Sequence, residues 1–362
     1  MSTSRFGPID GIRGIAVLVV FLSHTAGREM FIHPSLNFAG IGHIGVYLFF
    51  CLSAYLLASK LFEEGVDINA AKRFYIKRFF RIIPLYFFVI FSVFIAQHFF
   101  GHYNESYLHI KNGTTGFLQH LALYRGDGVF WSVVVEEQFY ILVPLWIFLF
   151  IRFRTWAVIA FAALGILNFL LYTSKYLEWP LNVDWIKYLT TNNRTSGNYI
   201  DIFIFTILPL YFFHYNRAFF EKNKNAIAWL ANILFFTLMA ISVITMSEKF
   251  LIFTRPFYDF RYISLLYTLV FSLFIISVGM GNPINKFLSF AWLRYVGIFG
   301  FSIYLLHMFV FELVNLTPLP AYAKFIVAGT GIFALSAITY YIIEKPAIKF
   351  SYKVIDKLKI NK

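Results

Sequence analysis

The first long apolar run of the chain, residues 9–28, reads IDGIRGIAVLVVFLSHTAGR. As one helix it is long enough to cross a hydrocarbon layer of about 30 Å. Similar runs recur to the end of the chain, which is 59% hydrophobic and only 14% charged. A soluble chain of 362 residues would need more charge to cover its surface. The sequence therefore predicts an all-α, polytopic membrane protein, and the charges inside the first run argue against a cleavable signal peptide.

We predict ten transmembrane helices, near residues 9–28, 42–60, 82–100, 129–151, 155–174, 200–214, 227–246, 263–280, 296–316 and 324–344. With a cytoplasmic N-terminus, about two-thirds of the Lys and Arg residues fall in cytoplasmic segments, which also places the C-terminus inside. We expect one transmembrane domain over residues 1–350 and a short basic cytoplasmic tail over 351–362, in a multi-pass protein of the cell (cytoplasmic or inner) membrane. The net charge of +13 then reflects topology and contact with membrane lipid, and not nucleic acid.

Ionisable residues inside a bilayer are costly, so they are the first candidates for function. Arg13 and His24 are eleven positions apart and share one helix face, with Asp10 close to the same face. Arg13 should lie near the cytoplasmic boundary and His24 near mid-membrane, about 16 Å further along the helix. The alternative is that Arg13 is a membrane anchor and His24 a neutral packing residue.

Two adjacent glutamates, Glu136 and Glu137, lie in the apolar segment WSVVVEEQFY, residues 131–140. If the span begins at Val129, Glu136 lies about 10 Å below the outer boundary, close to the depth of His24. A histidine and a carboxylate at one depth can form a general base with its orienting partner. A salt bridge that joins two helices is the alternative.

A basic cluster precedes the third span and comprises Lys72, Arg73, Lys77, Arg78 and Arg81. Such a cluster suits a polyanion, either the phosphates of a nucleotide-type ligand or anionic lipid. Its arginines favour phosphate, because a guanidinium offers paired donors. Positive charge that only sets the topology is the alternative.

Weaker candidates lie near the end of the chain: Ser302, Tyr304, His307 and Glu344. His307 falls near mid-depth by the same arithmetic, and Glu344 could pair with a cytoplasmic arginine; each could also be structural. The single cysteine, Cys51, excludes an internal disulfide and a cysteine-based metal cluster. No nucleotide-binding, hydrolase or zinc-protease motif is present, and we expect no metal.

Five ordered motifs resemble the acyltransferase-3 family of membrane O-acyltransferases, bacterial enzymes that modify polysaccharides. They are Ile9–Ala16 with Ser23 and His24, Gly45–Phe50 with Leu52 and Ser53, Arg78–Tyr86, Trp131–Pro144, and Ser302–His307 with Ile343–Pro346. The resemblance covers nearly the whole chain. One departure is Ala54, where the family usually has glycine after the serine.

The resemblance implies an acyl-CoA donor, acetyl-CoA by expectation, on the cytoplasmic side. It also implies a carbohydrate acceptor, either a polysaccharide or a lipid-linked glycan, on the extracytoplasmic side. Arg13, His24, Arg78 and Arg81 are then functional. A transporter or flippase of a lipid-linked sugar is the alternative function. A homo-oligomer is left open.

The residues suggest a role for each of these positions. Arg78 and Arg81, aided by Arg73 and Lys77, would bind the phosphates of coenzyme A, and Arg13 the base of its pantetheine arm. His24 would act as general base, oriented by Glu136 or by Glu137. Direct transfer is the expectation, and an acyl-histidine intermediate or relay through Ser53 stays open.

Overall fold

The computed structural model describes residues 6–33, 36, 38–100, 110–174, 199–246 and 261–360. In these ranges the regular structure is entirely helical, as predicted. The helices in chain order are α1 (Phe6–Ala26), α2 (Gly42–Glu64), α3 (Ile68–Phe100), α4 (Gly113–Leu121), α5 (Phe130–Phe153), α6 (Thr155–Ser174), α7 (Ile200–Tyr215), α8 (Arg217–Lys222), α9 (Lys224–Met246), α10 (Arg261–Gly279), α11 (Asn285–Leu288), α12 (Ala291–Ile298), α13 (Gly300–Asn315), α14 (Ala321–Thr339) and α15 (Lys345–Lys357), with a π-helical turn at Tyr340–Glu344.

Among the described residues, six helices are long and apolar enough to cross a membrane, or seven if α12 and α13, bent by 75°, form one span. Three further apolar helices are shorter, at Thr155–Leu171, Ile200–Tyr215 and Ile263–Gly279. Each of the ten predicted ranges lies mainly in helical structure, although 296–316 crosses the bend between α12 and α13. A helical membrane architecture is thus supported, while the number ten and the cytoplasmic position of both termini stay predictions.

Helix α1 lies in the centre of the bundle, where its neighbours approach its backbone closely. A Cβ atom at Gly297 of α12 would lie 1.8 Å from the carbonyl oxygen of Asp10, and one at Gly11 would lie 2.0 Å from that of Leu288. Only glycine fits at such distances. These contacts fix α1, and therefore the face that carries Arg13 and His24, against the C-terminal part of the chain.

The last helices form one continuous rod from Ala321 to Lys357, interrupted by the π turn. A π turn widens the helix and is frequent at functional sites. Here it ends at Glu344, whose side chain is buried. The end of the rod packs on the start of α3. The predicted boundary between the transmembrane domain and the basic tail, at residues 350 and 351, falls inside α15. Residues 361 and 362 lie outside the described part of the chain.

The segment before α5 folds into the bundle around a buried histidine. His120 Nδ1 donates to the Gly116 carbonyl at 2.8 Å, and its Nε2 accepts from the Asp127 backbone N–H at 2.9 Å. Asp127 also accepts from Arg125 Nε and from the Lys111 backbone N–H, both at 3.0 Å. The short helix α4, too short to span, is thereby held inward, and α5 begins at the fully buried Phe130.

Substitution of Gly297 by alanine should destabilise the protein, because the new methyl group must push α12 away from α1. Overpacking of this kind costs about 1–3 kcal/mol. The buried thiol of Cys51, the only cysteine, provides the measurement, since a thiol-reactive dye labels it only on unfolding. We expect a lower apparent Tm for Gly297→Ala in detergent.

Gly329→Ala is the matched control, because a Cβ there would lie 3.6 Å from Phe21, an ordinary contact. Equal melting temperatures for the two variants would contradict the close packing of α1 on α12.

Acid should destabilise the segment around His120, which we place outside the membrane-spanning helices. Burial lowers the pKa of His120 below its ordinary value near 6.5. The unfolded chain then binds the proton more readily, so stability is complete above about pH 6.5 and falls as the pH drops below it. Wild-type protein should therefore lose more thermal stability between pH 7.5 and 5.5 than His120→Gln, whose amide keeps a donor and an acceptor. An identical loss in both proteins would contradict this assignment.

Candidate functional site

Two histidines from distant parts of the chain meet inside the bundle. The Nδ1 atom of His24 on α1 lies 2.7 Å from the Nε2 atom of His307 on α13. The two rings are nearly parallel, at 9°, and their centroids are 5.0 Å apart. The meeting of these residues at one level agrees with the depths calculated from the sequence.

The hydrogen bonds determine which nitrogen of each ring carries the proton. His307 Nδ1 lies 2.7 Å from the Tyr304 carbonyl oxygen, which can only accept, so Nδ1 is the donor. In a neutral ring His307 Nε2 is then the acceptor, and it receives its hydrogen bond from His24 Nδ1–H. His24 is therefore left with an unprotonated Nε2, the atom that a general base needs.

Gly42, the first residue of α2, lies beside this nitrogen. A Cβ atom there would lie 3.6 Å from His24 Nε2 and only 3.1 Å from Ser23 Oγ. Glycine at this position therefore keeps a side chain away from the nitrogen. Just beyond the end of α1, Arg28 Nη1 donates to the backbone carbonyl of His24 at 3.3 Å and helps to fix the end of the helix.

A cavity of about 100 Å³ lies further along the same helices, and we call it the arginine cavity. Its polar lining consists of Arg13, Ser53, Arg78, Arg81, Ser132, Glu136, Tyr140 and Tyr304. Glu136 accepts hydrogen bonds from the hydroxyl groups of Ser53 and Tyr140. Arg13 pairs with Asp10, with Nη1 and Oδ1 2.7 Å apart.

The other two arginines of this cavity are available to a ligand. Within the described residues, neither Arg78 nor Arg81 forms a salt bridge; the guanidinium of Arg78 lies over the ring of Tyr140, 5.9 Å from its centroid. Glu136 interacts electrostatically with Arg78, and Glu344 with Arg81, from beyond salt-bridge distance. Two guanidinium groups that line one cavity are suited to an anionic ligand.

The predicted pairing of His24 with Glu136 is not observed. Among the described residues, no hydrogen bond or ion pair joins them; the partner of His24 is His307, and Glu136 interacts electrostatically with Arg13 and Arg78. Ser53, which contacts Glu136, follows Gly42 by eleven residues, or about 16 Å along α2. Glu136 therefore lies at the level of Arg13. The depth calculation took Val129 as the point where α5 enters the membrane, whereas Val129 and Phe130 are buried in the protein.

Tyr304 lies between the pair of histidines and the arginine cavity. Its hydroxyl lines the arginine cavity and accepts a hydrogen bond from Ser132 Oγ at 2.6 Å. Its ring centroid lies 5.7 Å from that of His307, to which its carbonyl also bonds. A ligand that extends from the arginine cavity to His24 must therefore pass Tyr304.

Arg73, Lys77 and Glu137 are among the predicted residues that do not line the arginine cavity. Arg73 Nη1 donates to the Ile360 carbonyl at 3.2 Å, and Lys77 Nζ lies 4.9 Å from the ring centroid of Tyr352, so both hold the C-terminal helix against α3. Glu137 is buried, and its Oε1 atom has no hydrogen-bond partner among the described residues. The structure thus favours Glu136 over Glu137 as the carboxylate of the site.

Ser302 and Glu344 form a buried polar group beside the arginines. Ser302 donates to Glu344 and accepts from Thr339 Oγ1 at 3.1 Å. Glu344 interacts electrostatically with Arg81 and Arg13, but among the described residues it forms no salt bridge with either, so its predicted pairing with an arginine stays a prediction. We assign this group to support of the arginine cavity. In the described ranges no cluster of three metal-ligating residues occurs.

Sequence reasoning did not single out three residues of the site. Tyr140 lies four positions after Glu136, a spacing that places both on one helix face and could have identified it. Ser132 and Gly42 gain their roles only from the tertiary contacts with Tyr304 and His24, for which the sequence gives no local signal.

Comparison with known proteins adds independent evidence. The chain is 30% identical to the peptidoglycan O-acetyltransferase OatA of Listeria monocytogenes over 40% of its own length and 24% of that protein. It is 32% identical to the putative peptidoglycan O-acetyltransferase YrhL of Bacillus subtilis, over 38% of this chain and 23% of that protein. A putative O-acetyltransferase of Staphylococcus aureus is 26% identical over 97% of this chain and 59% of that protein.

The matched region thus spans between a quarter and three-fifths of the length of these relatives. No solved structure matches the chain significantly. The model of the family described as an acyltransferase domain matches residues 7–344, which include both histidines and every arginine of the cavity. The chain therefore belongs to this acyltransferase family.

Proposed function

We propose that the protein is a membrane O-acyltransferase that moves an acyl group, acetyl by analogy with its relatives, from acyl-CoA to a hydroxyl of a carbohydrate. The observation that carries the proposal is the free Nε2 atom of His24. It is held by His307 and lies on the same helix face as Arg13, about 16 Å further along α1. A general base placed beyond an anion-binding cavity suits acyl-CoA, because this donor carries charged phosphates at one end and a reactive thioester at the other.

In this mechanism the donor enters at the arginine end. Arg78 and Arg81 bind the diphosphate of coenzyme A, and the pantetheine arm occupies the arginine cavity. The amide groups of the arm need both donors and acceptors, which Arg13, Ser53 and the Glu136 carboxylate supply. The arm then passes Tyr304 and brings the thioester to His24.

The chemical step takes place beside Gly42. His24 Nε2 removes the proton of the acceptor hydroxyl while the oxygen of that hydroxyl attacks the thioester carbonyl carbon. The carbon–sulfur bond breaks, and the leaving thiolate takes the proton from His24, so the enzyme returns to its initial state. His307 accepts from His24 Nδ1–H throughout and stabilises the charged ring that forms transiently.

The acceptor reaches His24 from the opposite end of the bundle. The relatives are named for O-acetylation of peptidoglycan, and a cell-wall polymer of this type is the acceptor class that we propose. The cytoplasmic position of the donor and the external position of the acceptor belong to the same proposal, in which the donor enters at the arginine end and the acceptor at the histidine end.

Replacement of His24 by alanine should reduce kcat about 10²- to 10⁴-fold, the usual contribution of a general base. His307→Ala should also lower kcat while the KM for acetyl-CoA stays unchanged. His307→Gln should recover part of the rate, because its side-chain carbonyl can accept from His24 Nδ1–H. The measurement is transfer of radiolabelled acetyl from acetyl-CoA to a soluble peptidoglycan fragment by protein in nanodiscs.

His98→Ala, an exposed histidine of α3, is the control and should behave like wild type. Near-normal turnover of His24→Ala would refute its role as base. Equal losses in His307→Ala and His307→Gln would show that the hydrogen bond to His24 does not matter.

Each of Arg78→Ala and Arg81→Ala should weaken coenzyme A binding about tenfold or more, because a hydrogen bond to a charged group contributes roughly 1.5–3 kcal/mol. The affinity of wild-type protein for coenzyme A should also fall as the salt concentration rises. Lysine at either position should restore only part of the affinity, since it cannot form paired hydrogen bonds. Calorimetric titration with desulfo-coenzyme A measures these differences.

Arg152→Ala removes an exposed arginine near the end of α5 and should leave binding unchanged. If the Arg78 and Arg81 variants bind as tightly as this control, the arginine cavity is not the phosphate site.

A further inference from the structure

A second cavity of about 110 Å³ lies at the arginine end of the bundle, several times the space that one water molecule needs. Aromatic side chains form much of its wall: Tyr55, Phe62, Phe213 and His214. Helices α2 and α7 supply these rings, and the remainder of the lining includes two carboxylates, Glu63 and Glu221, and the guanidinium of Arg217. The mechanism described above uses none of these residues.

The second cavity adjoins the arginine cavity. Leu56 of α2 lines both of them. Ile9 lines the second cavity and precedes Arg13, which lines the first, by about one turn of α1. A ligand held by the arginines can therefore place one end in each cavity.

The second cavity offers flat aromatic surfaces and charged groups at its edge. The rings of Phe62 and His214 are stacked at 24°, with centroids 5.3 Å apart. Arg217 Nη2 lies 3.3 Å from Glu63 Oε1, and its guanidinium is 5.7 Å from the ring centroid of Phe213. A purine can stack on such rings, as bases do in many proteins. Its exocyclic amino group can donate to the Glu63 carboxylate, and Arg217 can receive a ribose phosphate.

We infer that this second cavity binds the adenine nucleotide end of the acyl-CoA donor. The inference rests on the proposed function, in which the arginines hold the diphosphate. The donor then has three contacts in sequence: its purine in the second cavity, its diphosphate at Arg78 and Arg81, and its pantetheine arm in the arginine cavity. Leu56, which lines both cavities, lies where the two cavities meet.

The test compares donors with and without the nucleotide. Ser59 lines the second cavity, and Ser59→Trp fills it. We expect the KM for acetyl-CoA to rise at least tenfold in this variant, while the rate with S-acetylpantetheine, which lacks the nucleotide, equals that of wild type. Adenosine 3′,5′-bisphosphate should inhibit wild-type transfer from acetyl-CoA competitively and should lose this effect in the variant.

A second variant guards against misfolding. Glu63→Gln keeps the shape of the side chain and removes its charge, and it should raise the KM for acetyl-CoA several-fold with no effect on S-acetylpantetheine. Ser92→Trp, on an exposed part of α3, is the matched control for the added tryptophan.

An unchanged KM for acetyl-CoA in folded Ser59→Trp and in Glu63→Gln would overturn the inference and leave the proposed function intact. An equal loss of transfer rate with acetyl-CoA and with S-acetylpantetheine would also overturn it, because the second cavity would then serve the pantetheine arm or the stability of the fold. Wild-type protein that cannot use acetyl-CoA at all would instead refute the proposed function.

Discussion

The hydrogen bond between His24 Nδ1 and His307 Nε2 joins the first helix of the domain to one near its end. It forms only if α1 is held at the correct depth and rotation, which the glycine contacts at Gly11 and Gly297 ensure. The same bond, together with the Tyr304 carbonyl, determines the tautomer of both rings. The position of the proposed base and its protonation state thus depend on one contact inside the bundle.

In the proposed mechanism, the separation of the two polar levels lets the enzyme serve two sides of a membrane. The arginines and Glu136 lie at one level, and the histidines lie about 16 Å away along α1 and α2. Only the flexible arm of a donor needs to cross this distance, so its charged head stays where guanidinium groups can neutralise it. Desolvation of the phosphates in the membrane, which would be costly, is avoided.

Much of this arrangement follows from helix periodicity. The eleven-residue spacing of Arg13 and His24 correctly places them at the two levels of one face, and the positions of the helices agree with the apolar runs. Glu136 was misplaced because a linear depth calculation assumes that a span begins at the membrane surface, whereas buried hydrogen bonds of His120 and Asp127 draw the segment before α5 inward. Arg73 and Lys77 resemble Arg78 and Arg81 in sequence, and only the packing of the C-terminal helix on α3 separates their roles.

The central claim is that the donor spans both levels, and a structure of the protein in nanodiscs with a stable acetyl-CoA analogue tests it most directly. The analogue would carry a methylene group in place of the thioester sulfur, so that it binds without reacting. We expect its diphosphate against Arg78 and Arg81, its arm past Tyr304, and its carbonyl beside His24 Nε2, with room for one hydroxyl group between them. An analogue whose carbonyl stops beside Glu136, or whose phosphates lie away from both arginines, would contradict the account.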